Sequence, residues 1–299
     1  MVRINGKTGL AGVIGWPLDH TLSPAMHNAA YEHMGLDAVY IPLPVRNDAE
    51  LQRLAEAIRL LPFLGFNVTM PFKRAMLDIC DEVAALARIA GAVNAVHCVE
   101  GRLIGYNTDG RGLLESLQAE TGFNPEGKRV AIIGAGGAAG AALVACIVSR
   151  AARVSVVNRN VERAEELLSR VADHLRSTEA AAVELGDAAA DEVRAADLVV
   201  NATPVGMNAA EMTPVPPEWI HSGQVVADMV YRPAVTPFMR EAAARGAVTV
   251  GGLGMLVSQG AMAIDIWAPG GDGARAPRDV MRQAAEEVLD AEQREEAER

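Results

Sequence analysis

A glycine-rich turn, GAGGAAG from Gly134 to Gly140, directly follows the apolar run VAII (Val130–Ile133) near the middle of the chain. The spacing Gly134-x-Gly136-x-x-Ala139 fits the G-x-G-x-x-G/A fingerprint of a dinucleotide-binding strand–turn–helix. The first glycine allows the tight turn, the second lets the backbone approach a pyrophosphate, and the third small residue lets helix and strand pack closely. The anion would rest on the exposed N–H groups and positive dipole end of the following helix. Residues 130–149 carry no charge, and Gly136 to Gly140 also reads as G-x-x-x-G, the pattern of a dimerising transmembrane helix. Glycines concentrated at the start of the segment suit a turn better. A second apolar run, VSVVNR (Val154–Arg159), follows within the roughly thirty residues that a β-turn-α-β unit requires. A close-packed βα turn that binds nothing is the plain alternative. A dinucleotide unit starting here leaves residues 1–129 for a separate task, most naturally holding a substrate.

The residues after the second strand bear on which dinucleotide fits. A site that prefers NAD usually has Asp or Glu about twenty residues beyond the glycines, to accept hydrogen bonds from the ribose hydroxyls. This chain has Asn158-Arg159 there and Arg163 in the next turn. A carboxylate would repel a 2′-phosphate, whereas guanidinium groups can clamp one with forked, charge-assisted hydrogen bonds. NADP is expected over NAD, although arginines at a helix start are also ordinary solvated residues.

At 299 residues the chain is long enough for two domains with separate cores. Half its residues are hydrophobic but only 4% are aromatic, and Ala and Gly dominate, as expected where helices pack closely on parallel sheets. A formal net charge of −11 argues against sequence-independent nucleic-acid binding, which needs basic patches. Cys80, Cys98 and Cys146 have no metal-ligand spacing and cannot all pair, which points to a reducing compartment and to no metal. The opening MVRINGKTG lacks the positive-then-apolar layout of a secretion signal. A cytoplasmic protein with a small-molecule substrate, no nucleic-acid or membrane partner, and a homodimer as the oligomer to test for is the expectation.

Strands alternating with helices imply parallel sheets covered on both faces. LAGVIG (Leu10–Gly15), AVYIPL (Ala38–Leu43) and GFNVT (Gly65–Thr69) read as strands. The first helix should start at Ser23, with Ser as N-cap, Pro24 in the first helical position and Gly35 closing it. Further helices are expected near Asp48–Leu61, from Pro71, near Val83–Ile89 and over Gly110–Glu120, with a hairpin AVHCV/RLIGY turning at Glu100-Gly101. Val161, Ala164, Leu168, Val171 and Leu175 recur at helical spacing, and DLVVNAT, QVVADMV and AVTVGG supply three more strands. The charged tail from Ala291 reads as a fraying helix end.

The upstream half holds two polar clusters. In GWPLDHTLSPAMHN, Thr21 and Ser23 flank the mouth of a helix, where one hydroxyl should cap and both could bind a carboxylate. In NVTMPFK, Asn67 and Thr69 lie at a strand's carboxyl end, where open α/β sheets bind ligands, and Lys73 falls in the first turn of the expected helix. The helix dipole disfavours a cation there, so stability does not explain that lysine.

With these clusters in view, the chain resembles the shikimate dehydrogenase (shikimate/quinate dehydrogenase) family over nearly its whole length, the acidic tail excepted. The matching segments are GWPLDHTLSPAMHN, GFNVTMPFK, GAVNAV, YNTDG, GAGGAAG, NRNVERA, NATPVGM, DMVYRP and GGLGMLVSQ, in the family's order. The resemblance implies an α/β protein of two domains. Residues 1–110, completed by 252–299, would form the substrate-binding and catalytic domain, and 111–251 a Rossmann-type doubly wound NADP-binding domain. A cleft between them would close to exclude water. The implied activity is reversible, NADPH-dependent reduction of 3-dehydroshikimate to shikimate, in aromatic amino-acid biosynthesis. The resemblance makes Lys73 and Asp109 the catalytic pair, with Thr21, Ser23 and Tyr231 at the substrate carboxylate and Thr69, Asn94 and Gln259 at its hydroxyls. Gly134, Gly136, Gly137, Ala138, Asn158, Arg159 and Arg163 would hold the dinucleotide, with Thr203, Met207 and Gly252 near the nicotinamide. The family usually has Ser where this chain has Thr21, and the added methyl leaves less room beside the carboxylate. Quinate or a related cyclic acid, a quinate/shikimate dehydrogenase using NAD, and a non-catalytic member binding nucleotide or a cyclic acid are the alternatives.

Overall fold

The computed structural model describes residues 4–207, 211–268 and 275–298. It divides into two compact units, one from the described residues of Met1–Arg88, Ala92–Thr108 and Val257–Arg299, the other from Ile89–Gly91 and Asp109–Leu256.

The first unit carries β1 (Gly9–Gly15), α1 (Ser23–Met34), β2 (Ala38–Pro44), α2 (Asp48–Ile58), β3 (Phe63–Val68), α3 (Met76–Ile79), β4 (Glu82–Val83), most of α4 (Ala85–Ala90), β5 (Ala95–Val99) and β6 (Arg102–Tyr106). Most of α10 (Gly252–Trp267) and α11 (Arg278–Glu298) complete it, and α11 packs along α1. Its sheet runs β2-β1-β3-β5-β6-β4. The sheet is mixed rather than parallel, because the β5–β6 hairpin returns the chain directly and sets β5 antiparallel to β3 and β6. Glu100 and Gly101, both at positive φ, make the two-residue turn whose twist matches the strands. Ile14, Phe66, Val68, Val96 and Leu103 form one side of the core, against Leu51, Ala55 and Ile58 of the amphipathic α2.

Two expectations are corrected here. Ser23 is the first helical residue of α1 and caps nothing; Thr21 takes that role in part, its hydroxyl accepting from the Ser23 N–H at 3.3 Å. The helix expected from Pro71 begins only at Met76, after continuous turns over residues 70–75. Lys73 therefore sits in a turn, and the dipole argument does not apply to it.

The buried face of α1 carries His27, whose ring stacks on Tyr40 at 4.0 Å between centroids. Its Nδ1 lies 2.8 Å from the Ser23 carbonyl, which only accepts, so Nδ1 carries the proton. Nε2 is then a buried acceptor without a hydrogen-bond partner among the described residues. Burial, opposed by the Ser23 bond, lowers the imidazole from 6.5 to about 4. The stability gained by keeping this ring neutral is complete above the unfolded value and is lost as pH falls through the folded one, an effect of about 3 kcal/mol. Urea titrations should show wild-type protein losing that much more unfolding free energy than His27→Phe between pH 7 and pH 4. Parallel acid losses in the two proteins would contradict this.

The second unit carries α5 (Asp109–Thr121), β7 (Arg129–Ile133), α6 (Gly137–Val148), β8 (Arg153–Asn158), α7 (Val161–Val171), β9 (Glu179–Glu184), α8 (Asp187–Arg194), β10 (Leu198–Asn201), β11 (Val225–Asp228), α9 (Pro237–Ala244) and β12 (Val248–Val250). All of its sheet pairings are parallel, in the order β12-β11-β10-β7-β8-β9. This is the doubly wound dinucleotide-fold order, with its switch point between β7 and β10. Alternation along the strands shows why both faces are covered. Val130, Ile132, Leu198 and Val200 face one core with α5, α6 and α7, while Ala131, Ile133 and Val199 face the other with α8 and α9. The backbones of α5 and α6 meet closely: a Cβ at Gly110 would lie 2.3 Å from the Ala141 carbonyl oxygen. Among the described residues no helix is long and apolar enough to cross a membrane, and α6 is a twelve-residue helix packed in this core.

Candidate active site

In the first unit, the carboxyl ends of β1 and β3 and the loops beside them gather a buried polar shell. Tyr40 donates to Asn67 Oδ1 (2.8 Å), and Asn67 Nδ2 donates to the Asn94 carbonyl (3.1 Å). That carbonyl fixes the Asn67 amide orientation, so the Tyr40 proton must point to Asn67 and the Tyr40 oxygen accepts from the Ser23 side chain. Burial pushes the Tyr40 phenol well above its ordinary range, which keeps it a neutral donor. Asn94 is the hub. Its Nδ2 donates to Thr108 Oγ1 (3.0 Å) and Gln259 Oε1 (3.1 Å), and its Oδ1 accepts from the Thr108 N–H (2.7 Å). Thr108 also donates to the Gln259 carbonyl (3.1 Å), tying the middle of α10 to the shell. Ser23, Asn67, Asn94, Thr108 and Gln259 are all buried. A shell this satisfied is rigid, because each group left unpaired would cost about 1–3 kcal/mol.

Thr69 and Lys73 enter beside this shell. The Thr69 N–H donates to the Ile14 carbonyl (2.8 Å), and its methyl side abuts Gly15 so closely that a Cβ there would lie 2.3 Å from it. The Lys73 carbonyl accepts from the Val93 N–H (2.8 Å), one residue before Asn94. The lysine's main chain is thus anchored to the hub's own segment while its half-buried side chain extends from the turn. Asp109, next in the chain after Thr108, opens α5 in the second unit and is buried.

The second unit shows how the glycine turn divides its duties. Gly134 has φ +114°, a conformation other residues rarely adopt, and Ala139 is fully buried at the strand–helix contact. A Cβ at Gly136, by contrast, would meet no atom within 4 Å, so the space in front of the α6 N-terminus is open. Gly137 and Ala138 begin α6 there. At the end of β8, Asn158 donates to the Asn160 carbonyl (2.7 Å), and the Asn160 side chain caps α7 by accepting from Arg163 N (3.0 Å). Arg159 and Arg163 are exposed around that bend. Open backbone at a helix N-terminus plus two exposed guanidinium groups past the second strand fits a dinucleotide with an additional phosphate.

Thr203 follows β10, with its hydroxyl donating to Asn201 Oδ1 (2.6 Å), and Met207 is exposed nearby in sequence. Gly252 approaches the end of β11 so closely that a Cβ would lie 2.6 Å from the Met229 carbonyl oxygen. Tyr231 is half-buried, and burial raises its phenol.

Residues 13–96 match the family described as shikimate dehydrogenase substrate binding domain, and residues 117–212 match shikimate / quinate 5-dehydrogenase. The NADP(+) shikimate dehydrogenase of Methanopyrus kandleri is 42% identical over 96% of this chain and 98% of its own. This chain belongs to the shikimate dehydrogenase family. Among solved structures, shikimate 5-dehydrogenase from Thermus thermophilus, in complex with NADP(H) and shikimate, superposes with a TM-score of 0.83 at 35% identity, covering 94% of this chain and 100% of that one. A ligand-free 5-ketofructose reductase of Gluconobacter sp. strain CHM43 is similar too, with TM-score 0.80 and 37% identity over 95% of this chain and 100% of its own.

For a shikimate dehydrogenase family member, the sequence-derived site residues fall in two groups. Thr21, Ser23, Thr69, Lys73, Asn94 and Gln259 belong to the first unit, where Asn94 and Gln259 bond directly. Asp109, the glycine turn, Asn158, Arg159, Arg163, Thr203, Met207, Tyr231 and Gly252 belong to the second. Tyr40 and Thr108 were absent from the sequence reading of the site, as were Asn201 and Asp228. Tyr40 reads as a strand residue in AVYIPL, and only its alternation with buried Ala38 hinted at an inward hydroxyl. Thr108 lay within the YNTDG segment beside the more conspicuous aspartate.

Proposed function

We propose that this chain reversibly reduces 3-dehydroshikimate to shikimate with NADPH, with Lys73 and Asp109 performing the proton chemistry. The observation that carries the reading is the anchoring of Lys73 to the segment of Asn94, so that one proton-transfer side chain and a hydroxyl-binding shell share a single rigid frame. Asn94 commits both amide hydrogens within the shell, so Gln259, whose oxygen faces Asn94, turns its NH2 group away from the hub. Gln259, Thr69 and the Asn94 oxygen then meet the ring hydroxyls. Thr21 and Ser23 hold the carboxylate with Tyr231; Ser23 can swing its proton from Tyr40 to the anion without disturbing the Tyr40–Asn67 bond.

Gly134, Gly136, Gly137 and Ala138 would cradle the pyrophosphate, Asn158, Arg159 and Arg163 the 2′-phosphate ribose, and Thr203, Met207 and Gly252 the nicotinamide end. The bound dinucleotide supplies the hydride. In reduction, the Lys73 ammonium gives a proton to the carbonyl oxygen as it becomes a hydroxyl; in oxidation the neutral amine takes it back. Asp109 orients the lysine and shares the hydroxyls. Three free thiols among the described residues support a cytoplasmic setting, and a homodimer is the assembly to look for by light scattering.

Absorbance of the reduced nicotinamide, followed with shikimate, quinate and 5-ketofructose and with each cofactor, tests the whole reading. Shikimate with NADP should give the highest kcat/KM. Turnover only of quinate with NAD, or only of 5-ketofructose, would overturn the substrate assignment.

A further inference from the structure

Glu184 ends β9, and the parallel register of β8 and β9 sets its Cα opposite that of Asn158, which ends β8. The Leu185 N–H donates to the Asn158 carbonyl (3.1 Å), so the alignment holds to the last residue of both strands. Alternation puts the two side chains on one face of the sheet. Val154 and Val156 of β8 and Ala182 of β9 pack in the core with α6 and α7, whereas Val157, Val183 and Leu185 pack on the other side. Asn158 and Glu184 continue the first set, at the carboxyl edge of the face that α6 and α7 cover. Neighbouring strands lie about 4.8 Å apart, so this carboxylate stands one strand away from the position at which dinucleotide folds select between NAD and NADP.

Glu184 is exposed, as are Arg159 and Arg163. Among the described residues, none of these three side chains has an ion-pair or hydrogen-bond partner. Glu179, at the other end of the same strand, is by contrast paired with Arg153 (3.3 Å). The bend after β8 therefore presents charges of both signs that the fold leaves uncompensated. A carboxylate accepts hydrogen bonds from a bare ribose diol, but it repels a 2′-phosphate, which carries about −1.5 to −2 charges at pH 7. Guanidinium groups have the opposite preference.

We infer that Glu184 is a specificity-determining residue that works against Arg159 and Arg163 at the 2′ position of the adenosine ribose, weakening NADP(H) and narrowing its advantage over NAD(H). This rests on the functional reading above, in which Asn158, Arg159 and Arg163 receive that ribose. The acid expected at the end of the second strand in an NAD site is displaced here to the end of the third, in register with the Asn that replaces it. It acts on one cofactor only, because NAD(H) lacks the group it repels. Exposure makes the repulsion sensitive to salt.

Titrations followed by the cofactors' own fluorescence measure NADPH and NADH affinity for wild type, Glu184→Gln, Glu184→Asp and Glu179→Gln, beside a thermal midpoint for each. Glu184→Gln should bind NADPH roughly three- to tenfold more tightly at low ionic strength, and NADH within about twofold of wild type. The gain should shrink in about 0.5 M salt. Glu184→Asp keeps the charge and should stay near wild type. Glu179→Gln makes the same change in net charge about 16 Å away along the strand, and should leave both affinities as they are. Unchanged or weakened NADPH binding in Glu184→Gln, an equal shift for both dinucleotides, or an equal gain in Glu179→Gln would overturn the inference. Should the amide variant not fold, Glu184→Ser removes the same charge and decides by the same criteria. Wild-type protein that binds neither dinucleotide would instead remove the functional reading, and this inference with it.

Discussion

Lys73→Ala should lower kcat for shikimate oxidation by about two orders of magnitude or more, with KM for shikimate and the thermal midpoint nearly unchanged. The split follows from where the residue's two ends lie. Its backbone carbonyl holds the Val93 N–H, a bond that alanine keeps, so the turn over residues 70–75 and the Asn94 hub survive the change. The carboxylate and hydroxyl contacts proposed for Thr21, Ser23, Asn94 and Gln259 do not involve the ammonium. What disappears is the group that exchanges the proton at the reacting oxygen, an interaction needed in the transition state and not in the ground state. Steady-state kinetics beside a melting curve separates the outcomes. Near-normal turnover would take the lysine out of the mechanism, and a collapsed melting point would make its role structural.

Arg159→Ala should weaken NADP binding by roughly ten- to a hundredfold, the scale of a hydrogen-bonded charge pair, and NAD binding hardly at all. The bend that carries Arg159 does not depend on its side chain: Asn158 closes it through the Asn160 carbonyl, and Asn160 caps α7. Alanine therefore removes charge while keeping shape. Because the arginine is exposed, the loss should shrink as salt is raised, since added ions screen the pair already in the wild type. Binding titrations with both dinucleotides at two ionic strengths check this. Equal losses for NADP and NAD would show that the guanidinium serves the shared part of the cofactor and not its 2′-phosphate.

Elements with strong periodicity or strong punctuation were legible in the sequence. The glycine turn, the I′-type hairpin at Glu100-Gly101 and the apolar strands Val130–Ile133 and Val154–Asn158 all appear where residue chemistry put them. The strand Glu179–Glu184 and the helix Asp187–Arg194 were not anticipated, and the reason is compositional. EAAAVE is an edge strand that is half alanine and half-buried, with a single β-branched residue to mark it, and the following DAAADEVR repeats the same alphabet. The helix expected from Pro71 does not start there, because the chain is shaped by bonds between the ends of β1 and β3: Thr69 N to Ile14 and Trp16 N to Met70. Of the site, individual hydroxyls and amides could be named, yet their wiring could not. Asn94 to Gln259 and Asn201 to Asp228 join positions far apart in sequence, which only the fold brings together.

The contact between Gly110 and the Ala141 carbonyl has a practical corollary for anyone redesigning this enzyme. Main chain rests on main chain at that crossing, so the placement of the adjoining carboxylate, Asp109, depends on residue 110 having no side chain. One methyl at residue 110 would prise the two helices apart and shift the acid that begins α5.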